Sequence, residues 1–480
     1  MTLAACGPQT AHPVPSAPAA PTAVRALQRD VDAILADPAL ARGYWGVLAV
    51  GLKDDEPLYA LNARRLFVPA SNMKIVTLAA AAEALGWDYT YSTTVRAAGA
   101  IDNGVLEGDL VVAGSGDPSL GAADGMADRV FADWAARLRN AGIRTVAGRL
   151  VADTTAFRGE PFGDGWMWDD LVDEYSAGIG ALQLNEDAVR LSVAPGPAVG
   201  ASAAITLTPF PAALTIDNNV VTDPPGSEPT VRVRRLPGVS RLDVSGTIPL
   251  DHAPIAMGVS VPDAARFFLD SLRAALIRNG IDVKGSTAVE GRPQVANAPA
   301  AGSREPQGRT LFVYKSPPLS TLAMRLMKIS QNQYAETLFR TVGGRDGIMG
   351  ILGPWGIDAA DLIQRDGSGL SRYDLVTPQT FVAILAHIAR EPKLRDPFER
   401  SLPIAGALGL TNRMKGTAAE GNARAKTGSM TGVRALSGYV TDADGEALAF
   451  SILVNNFDAQ PATIDRATDA IVVRLAQFRR

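Results

Sequence analysis

One cysteine and three histidines are all that this chain of 480 residues holds of two side chains widely used for metal binding and nucleophilic chemistry. The single Cys6 excludes an internal disulfide and any cysteine-rich metal site. His12 lies in a Pro/Ala-rich stretch, His252 in the turn-forming run Pro249-Leu250-Asp251-His252, and His387 inside a helical run, TFVAILAHIAR. None sits in a local pattern that suggests a catalytic base, which argues against a Ser-His-Asp triad and a histidine-based metal site. Lysine is scarce as well: eight among 46 basic residues, the other 38 being Arg. No basic cluster stands out and the net charge is −4, so no nucleic-acid partner is expected. No run of 18 apolar residues occurs, so no segment is expected to span a membrane. What remains is 47% apolar and 20% charged, a globular composition with a real core, and the length suggests two or three domains.

Against this scarcity one lysine is conspicuous. Lys74 follows Ser71 by three residues in Pro69-Ala70-Ser71-Asn72-Met73-Lys74, and no other lysine here has a serine three residues before it. The run from Asn72 to Leu85 predicts one apolar helix, which puts both side chains on one face, a turn apart. Arg keeps its proton near neutral pH, whereas a desolvated Lys can release it. A hydroxyl beside a neutral amine, at the positive end of a helix, is an activated nucleophile. The competing reading is an ordinary polar start to a buried helix.

The chain divides by pattern. Residues 7–23 are rich in Pro and Ala and read as a flexible leader. Leu3-Ala4-Ala5-Cys6 resembles a bacterial lipobox, in which Cys6 is lipidated, although only Met1 and Thr2 precede it. Residues 24–37 predict an amphipathic helix, Tyr44–Leu52 a strand, and Asp54–Pro57 a turn. From 93 to 309 short alternating strands, Gly and Pro dominate, most β-like over Leu191–Asp243, with a helix near Ala264–Asn279. Helices return at Ser320–Ile329, Tyr334–Val342 and Pro378–Arg390. Val433–Thr441 and Ala447–Asn455 predict a hairpin, and Ile464–Phe478 a closing helix. The two ends thus read as one domain, terminal helices on an antiparallel sheet, interrupted by a long insertion.

Two further elements complete a site. Ser330-Gln331-Asn332 lies between two helices and offers a hydroxyl and an amide that both donates and accepts. Lys426-Thr427-Gly428-Ser429 leads into the hairpin, where a Lys and a Thr on a strand edge can grip a carboxylate and a Gly lets a substrate backbone lie close. A scrambled Lys415-Gly416-Thr417 shows that such a triplet alone is a weak signal. In order, S-x-x-K, S-x-N and K-T-G form the set found in penicillin-binding proteins and class A β-lactamases. With PASNMKIVTLAAAAEALG, MKISQNQYAETLFR, Asp366-Gly367-Ser368-Gly369-Leu370-Ser371-Arg372 and RAKTGSMTGVRALSGYV, the chain resembles the class C low-molecular-mass penicillin-binding proteins, the D-alanyl-D-alanine carboxypeptidase/endopeptidases, over residues 24–480.

The resemblance implies an α/β fold: a penicillin-binding-protein/β-lactamase-like transpeptidase domain, with an antiparallel sheet flanked by helices plus a helical lobe, carrying two nested β-rich insertions. The implied limits are 1–23 for the leader, 24–92 and 310–480 for the peptidase domain, 93–171 and 256–309 for the outer insertion, and 172–255 for the inner one. It implies that Ser71 is acylated and that Lys74 is its base. Ser330 would pass a proton to the leaving nitrogen, and Asn332 would bind the substrate amide. Lys426 would keep Lys74 neutral by repulsion and attract the substrate carboxylate, which Thr427 would hydrogen-bond. The N–H groups of Ser71 and Ser429 would form the oxyanion hole. Gly428, Arg372 and Met430 are placed with the substrate. In the tryptophan-rich patch Gly165–Leu171, Asp170, with Tyr175 beyond it, matches residues that hold the amino group of the stem peptide; the alternative is core tryptophans and a solvated Asp170. Ser115-Gly116-Asp117-Pro118 reads as a structural turn.

The expected function is a serine DD-peptidase (D-alanyl-D-alanine carboxypeptidase/endopeptidase) acting on peptidoglycan stem peptides and cross-links, in the periplasm or otherwise outside the cytoplasmic membrane, and inhibited by β-lactams. No metal or organic cofactor is implied, and a membrane anchor rests on Cys6. The rivals are a β-lactamase or esterase on the same site, separable by turnover of penicillin, and a silent cell-wall scaffold, separable by the absence of penicillin labelling.

Overall fold

The computed structural model describes residues 22–121, 125–157, 159–209, 214–291 and 308–480. Cys6, His12 and most of the expected leader lie outside them.

The two ends of the chain build one five-stranded sheet. Its order is Arg424–Met430, Val433–Thr441, Ala447–Asn455, Tyr44–Gly51 and Pro57–Leu61, antiparallel throughout. Side chains alternate across a strand, so each strand serves two cores. Val47, Ala49, Leu448, Phe450 and Ile452 face the terminal helices Thr22–Leu35 and Pro461–Ala476, and meet Leu27, Val31, Ile471 and Leu475. Leu48, Val50, Ala449 and Leu453 face a helical lobe. That lobe contains Met73–Leu85, Leu319–Lys328, Asn332–Thr341, Pro378–Arg390 and Pro392–Ser401.

Helix Met73–Leu85 runs through the middle of the lobe. Ala, Leu and Met favour the helix, and its residues from Met73 to Ala82 are all buried, as an all-round apolar helix must be. Gly86 ends it at φ +76°, its N–H bonded to the Ala82 carbonyl. This depth is what buries Lys74.

The insertion opens with the hairpin Ser92–Asp102 and Val105–Gly114, turned by Asn103-Gly104 with both φ positive. It leads a seven-stranded sheet covered by helices Met126–Asn140 and Ala264–Arg278. Helix Met126–Asn140 stands where short strands were expected. Its buried Phe131, Trp134, Ala135 and Leu138 recur at helical spacing, a signal present in the sequence but masked by the surrounding β-like pattern. Two three-stranded sheets follow, one of which pairs Thr215–Asp223 parallel to Arg241–Pro249.

Two strand pairings lie at expected domain limits. Arg309–Lys315 pairs with Ser92–Ala97 of the insertion's sheet, and the next lobe helix begins at Leu319. Ile255–Ser260 pairs with Ala188–Val193. The buried residues of both inserted units form one continuous apolar cluster, from Val95 through Leu191 and Leu242 to Val283.

Candidate active site

Ser71 lies in the single turn Ala70–Asn72 that enters the buried helix. Ala70 is held at φ +46°, a left-handed conformation unusual for a residue with a side chain. Two glycines let neighbouring chain close on this turn. At Gly369, φ +83°, a Cβ would lie 1.8 Å from the Ala70 carbonyl oxygen. At Gly428 a Cβ would lie 2.7 Å from the Pro69 oxygen and 3.2 Å from Ala70 Cβ. The absence of a side chain at Gly428 thus lets the strand lie against the nucleophile turn.

Lys74 reaches back from the helix, its Nζ 2.9 Å from Ser71 Oγ. Two other oxygens meet the amine: Asn332 Oδ1 at 2.6 Å and the Ser368 carbonyl at 2.9 Å. A neutral amine has two N–H bonds and one lone pair. With the two acceptors taking the N–H bonds, the lone pair is left for the Ser71 hydroxyl proton. Complete burial pulls the Lys74 pKa from 10.5 down to about 7, against the opposing charges of Asp366 and Glu336. Burial is the main cause, beside the repulsion expected from Lys426. The repulsion is felt at Lys426, which burial and then the charge of Lys74 push well below its ordinary value.

Ser330 sits at φ +64° between two helices, and Lys426 Nζ donates to its Oγ at 2.8 Å and to the Thr427 carbonyl at 2.9 Å. Lys426, Thr427, Gly428, Ser429 and Met430 lie on the sheet's outermost strand, Arg424–Met430. Beyond the Ile404–Arg424 bridge this edge leaves alternate backbone groups without a strand partner, a row able to pair an extended ligand. Met430 and Ser429 also line a cleft of about 470 Å³ with Arg434 and Phe457. Arg372 donates to the Thr431 carbonyl at 3.1 Å, which places it at the end of the same strand.

The insertion closes one side of the site. Asn332 Nδ2 donates to the Tyr175 carbonyl at 2.7 Å, so one of its two N–H bonds is already used and one remains for a substrate amide. The Tyr175 hydroxyl donates to Asp170 Oδ1 at 2.9 Å. The catalytic and substrate-side residues named from sequence are therefore gathered here, whereas Lys415-Gly416-Thr417 lies in a loop apart from the site. Asp117 is buried, and its Oδ1 accepts from the N–H and hydroxyl of Ser119 in a local turn.

Sequence reasoning missed the layer beneath Lys74. Asp366 Oδ1 accepts from Gly369 N–H (2.6 Å) and Oδ2 from Ser371 N–H (2.7 Å). Glu336 Oε1 accepts from the N–H groups of Gly367 (2.9 Å) and Ser368 (2.7 Å). Burial, then the charge of Asp366, raises the Glu336 pKa to about 8. Glu336 had a signal: it follows Asn332 by four residues and so shares its helix face. Among the described residues no group of three or more His, Cys, Asp or Glu side chains could hold a metal ion.

A serine and a buried lysine at a helix start, facing the edge strand of an antiparallel sheet, define a serine acyl-transfer enzyme of the penicillin-binding-protein and β-lactamase fold. The model of the D-Ala-D-Ala carboxypeptidase 3 (S13) family matches residues 27–478, and the chain belongs to that family. A D-alanyl-D-alanine carboxypeptidase of Actinomadura sp. (strain R39) is 38% identical over 475 residues, covering 94% of this chain and 85% of that protein. D-alanyl-D-alanine carboxypeptidase DacB of Haemophilus influenzae is 28% identical over 457 residues, 91% of this chain and 89% of that one. The crystal structure of penicillin binding protein 4 (dacB) from Haemophilus influenzae matches with a TM-score of 0.81 at 26% identity, over 95% of this chain and 99% of that chain.

Proposed function

We propose that this serine-type D-Ala-D-Ala carboxypeptidase cuts peptidoglycan stem peptides and cross-links through an acyl-enzyme on Ser71, and that penicillin acylates the same hydroxyl. The observation that carries the reading is the Lys74 amine, with Ser71 Oγ, Asn332 Oδ1 and the Ser368 carbonyl around it. Ser71 Oγ attacks the carbonyl carbon before the terminal D-residue while its proton passes to Lys74 Nζ. The N–H groups of Ser71 and Ser429 receive the developing oxyanion. As the C–N bond breaks, Ser330 gives its proton to the leaving nitrogen and is resupplied from Lys426, 2.8 Å away. The proton held by Lys74 makes good the one that Lys426 gave up, which leaves the Lys74 amine neutral again. Water then adds to the ester carbon with its proton taken by Lys74, and Lys74 returns that proton to Ser71 Oγ as the ester C–O bond breaks, freeing Ser71 and the shortened peptide. Mass spectrometry of purified cross-linked and uncross-linked muropeptides after digestion tests this: loss of terminal D-alanine or opening of cross-links is expected, and unchanged muropeptides overturn it.

Lys426 and Thr427 bind the substrate carboxylate in this reading. Lys426→Ala then slows acylation by about 10–100-fold for substrates with a free carboxylate, and by less for those without one. An equal loss for both would confine Lys426 to its effect on Lys74 and Ser330.

Asp170 sets stem-peptide preference in the same proposal. The cross-linking residue of a Gram-negative-type stem, diaminopimelate, ends in an ammonium and a carboxylate. Tyr175 occupies Asp170 Oδ1, which leaves Oδ2 to pair with that ammonium. The contact is remote from the scissile bond, so its loss weakens binding or positioning of that substrate. Asp170→Ala is expected to lower kcat/KM for diaminopimelate-bearing peptides by about 10–100-fold relative to penicillin acylation on the same preparation. A parallel fall in both activities would make Asp170 structural.

We place the peptidase unit at residues 22–91 and 316–480, the outer insertion at 92–171 and 261–315, and the inner one at 172–260; strand pairing supports these limits. The enzyme acts outside the cytoplasmic membrane, where peptidoglycan lies. Among the described residues no helix is long and apolar enough to cross a membrane. The lipobox-like Leu3–Cys6 supports an anchor through lipidated Cys6, which the intact mass of native protein checks.

A further inference from the structure

Both acceptors that hold Lys74 are reached from the insertion, Asn332 directly and Ser368 through the turn that carries it. Asn332 could present either end of its amide to the lysine. The Tyr175 carbonyl accepts from Nδ2 at 2.7 Å, and this turns Oδ1 toward Nζ. The Ser368 carbonyl belongs to the turn Asp366–Ser371, which is wound around the Asp366 carboxylate. That carboxylate also accepts from the Ser368 hydroxyl of the same turn at 3.3 Å and, from 200 residues away, from the indole Nε1 of Trp166, 2.8 Å from Asp366 Oδ2. The chain around Trp166 is shaped for this approach. At Gly163 a Cβ would meet the Trp166 ring at 2.3 Å and Asp366 Cβ at 3.0 Å. At Gly165, φ +81°, it would meet the Tyr373 ring at 2.5 Å and Ser371 Oγ at 2.8 Å.

We infer that the segment from Trp166 to Tyr175 is a strut for the general base: it holds Asn332 Oδ1 and the Ser368 carbonyl on the two N–H bonds of Lys74, so that the remaining lone pair faces Ser71. Trp166 is a positioning residue that acts through Asp366 and Ser368. The inference rests on the reading of Lys74 as the base. It gives the insertion a second role, since a segment that serves substrate preference alone has no need to grip both partners of the lysine. A charged acceptor in a buried turn makes the indole bond one of the stronger kinds of hydrogen bond.

A packing role for Trp166 is separable from this one. The ring is half-buried and tilts against Phe162, centroids 6.2 Å apart, and a phenylalanine would keep much of that contact while losing the N–H. Trp166→Phe is therefore the informative variant, with Trp166→Ala beside it. Active sites are counted by labelled penicillin at long times, so that only folded enzyme enters the rate. The acylation rate constant per counted site and the apparent Kd are then measured with penicillin and with a small thioester that carries no stem peptide. Trp166→Phe is expected to lower the saturating rate constant about ten-fold for both acyl donors, with Kd within about two-fold of wild type. Trp166→Ala is expected to lose at least as much. A rate per site within about two-fold of wild type, or a loss confined to Kd, overturns the strut. Failure of the wild-type enzyme to label at Ser71 would instead overturn the assignment of the site beneath it.

Discussion

A Ser71→Ala variant is expected to keep its fold, to bind penicillin only reversibly, and to lose at least about 10⁴-fold in acylation and turnover, as removal of a nucleophile from a concerted set does. The side chain makes one hydrogen bond, to Lys74, and sits half-buried at the mouth of the site rather than in the core. Its removal leaves the turn Ala70–Asn72 with the same backbone, and leaves Lys74 its contacts with Asn332 and Ser368. Stability therefore changes little while the covalent step disappears. The measurement is peptide mapping of protein exposed to labelled penicillin, alongside a thermal melt. In the wild type the label is expected on the peptide holding Ser71. Ser330 is the rival, since it too has a lysine within reach, 2.8 Å from Lys426. A label on Ser330, or persistent labelling of Ser71→Ala, would sink the assignment.

The parts of this molecule that were legible in its sequence are those written by short-range pattern. The hairpin strands Val433–Thr441 and Ala447–Asn455 and the helix Pro378–Arg390 fall on the residues that periodicity assigns. The pairing of Ser71 with Lys74 follows from helical spacing, and Ser330, Asn332 and Lys426 follow from their motifs. What stayed hidden depends on contacts between distant segments. The Ser368 carbonyl is a backbone acceptor, which every residue possesses, so no side chain advertises it. Trp166 meets Asp366, and Asn332 meets Tyr175, only because the insertion folds back onto the lobe. The motif that names Gly428 likewise does not say what surrounds it, and the nucleophile turn is one of its neighbours. The partner of Arg309–Lys315 stayed hidden for the same reason, since it is a strand more than 200 residues earlier.

Lys74→Arg is the sharpest test of the base, because it keeps a long basic side chain but fixes it in the protonated form, which removes the chemistry. Arg holds its proton at every pH at which the protein is folded, so it offers no lone pair to the Ser71 hydroxyl. Loss of a general base costs about 10²–10⁴-fold, and that fall in the acylation rate is expected here. The wild-type pH profile supplies the second half of the argument. Burial brings the Lys74 pKa down to about 7, and the base form is the deprotonated one. Acylation is therefore expected to be nearly level above that pH and to fall as pH drops through it, toward about ten-fold per unit, while Lys74→Arg shows no such limb. Asp366 and Glu336, the two carboxyl groups whose charges oppose the shift, place the limb higher than burial alone would. The guanidinium is larger than the ammonium it replaces, and the site is fully buried, so a thermal melt and reversible penicillin binding are needed to show that the variant is folded. A folded Lys74→Arg that acylates within a few-fold of wild type would mean that the proton of Ser71 leaves by another route. Lys426 and Ser330 would then be the groups to examine.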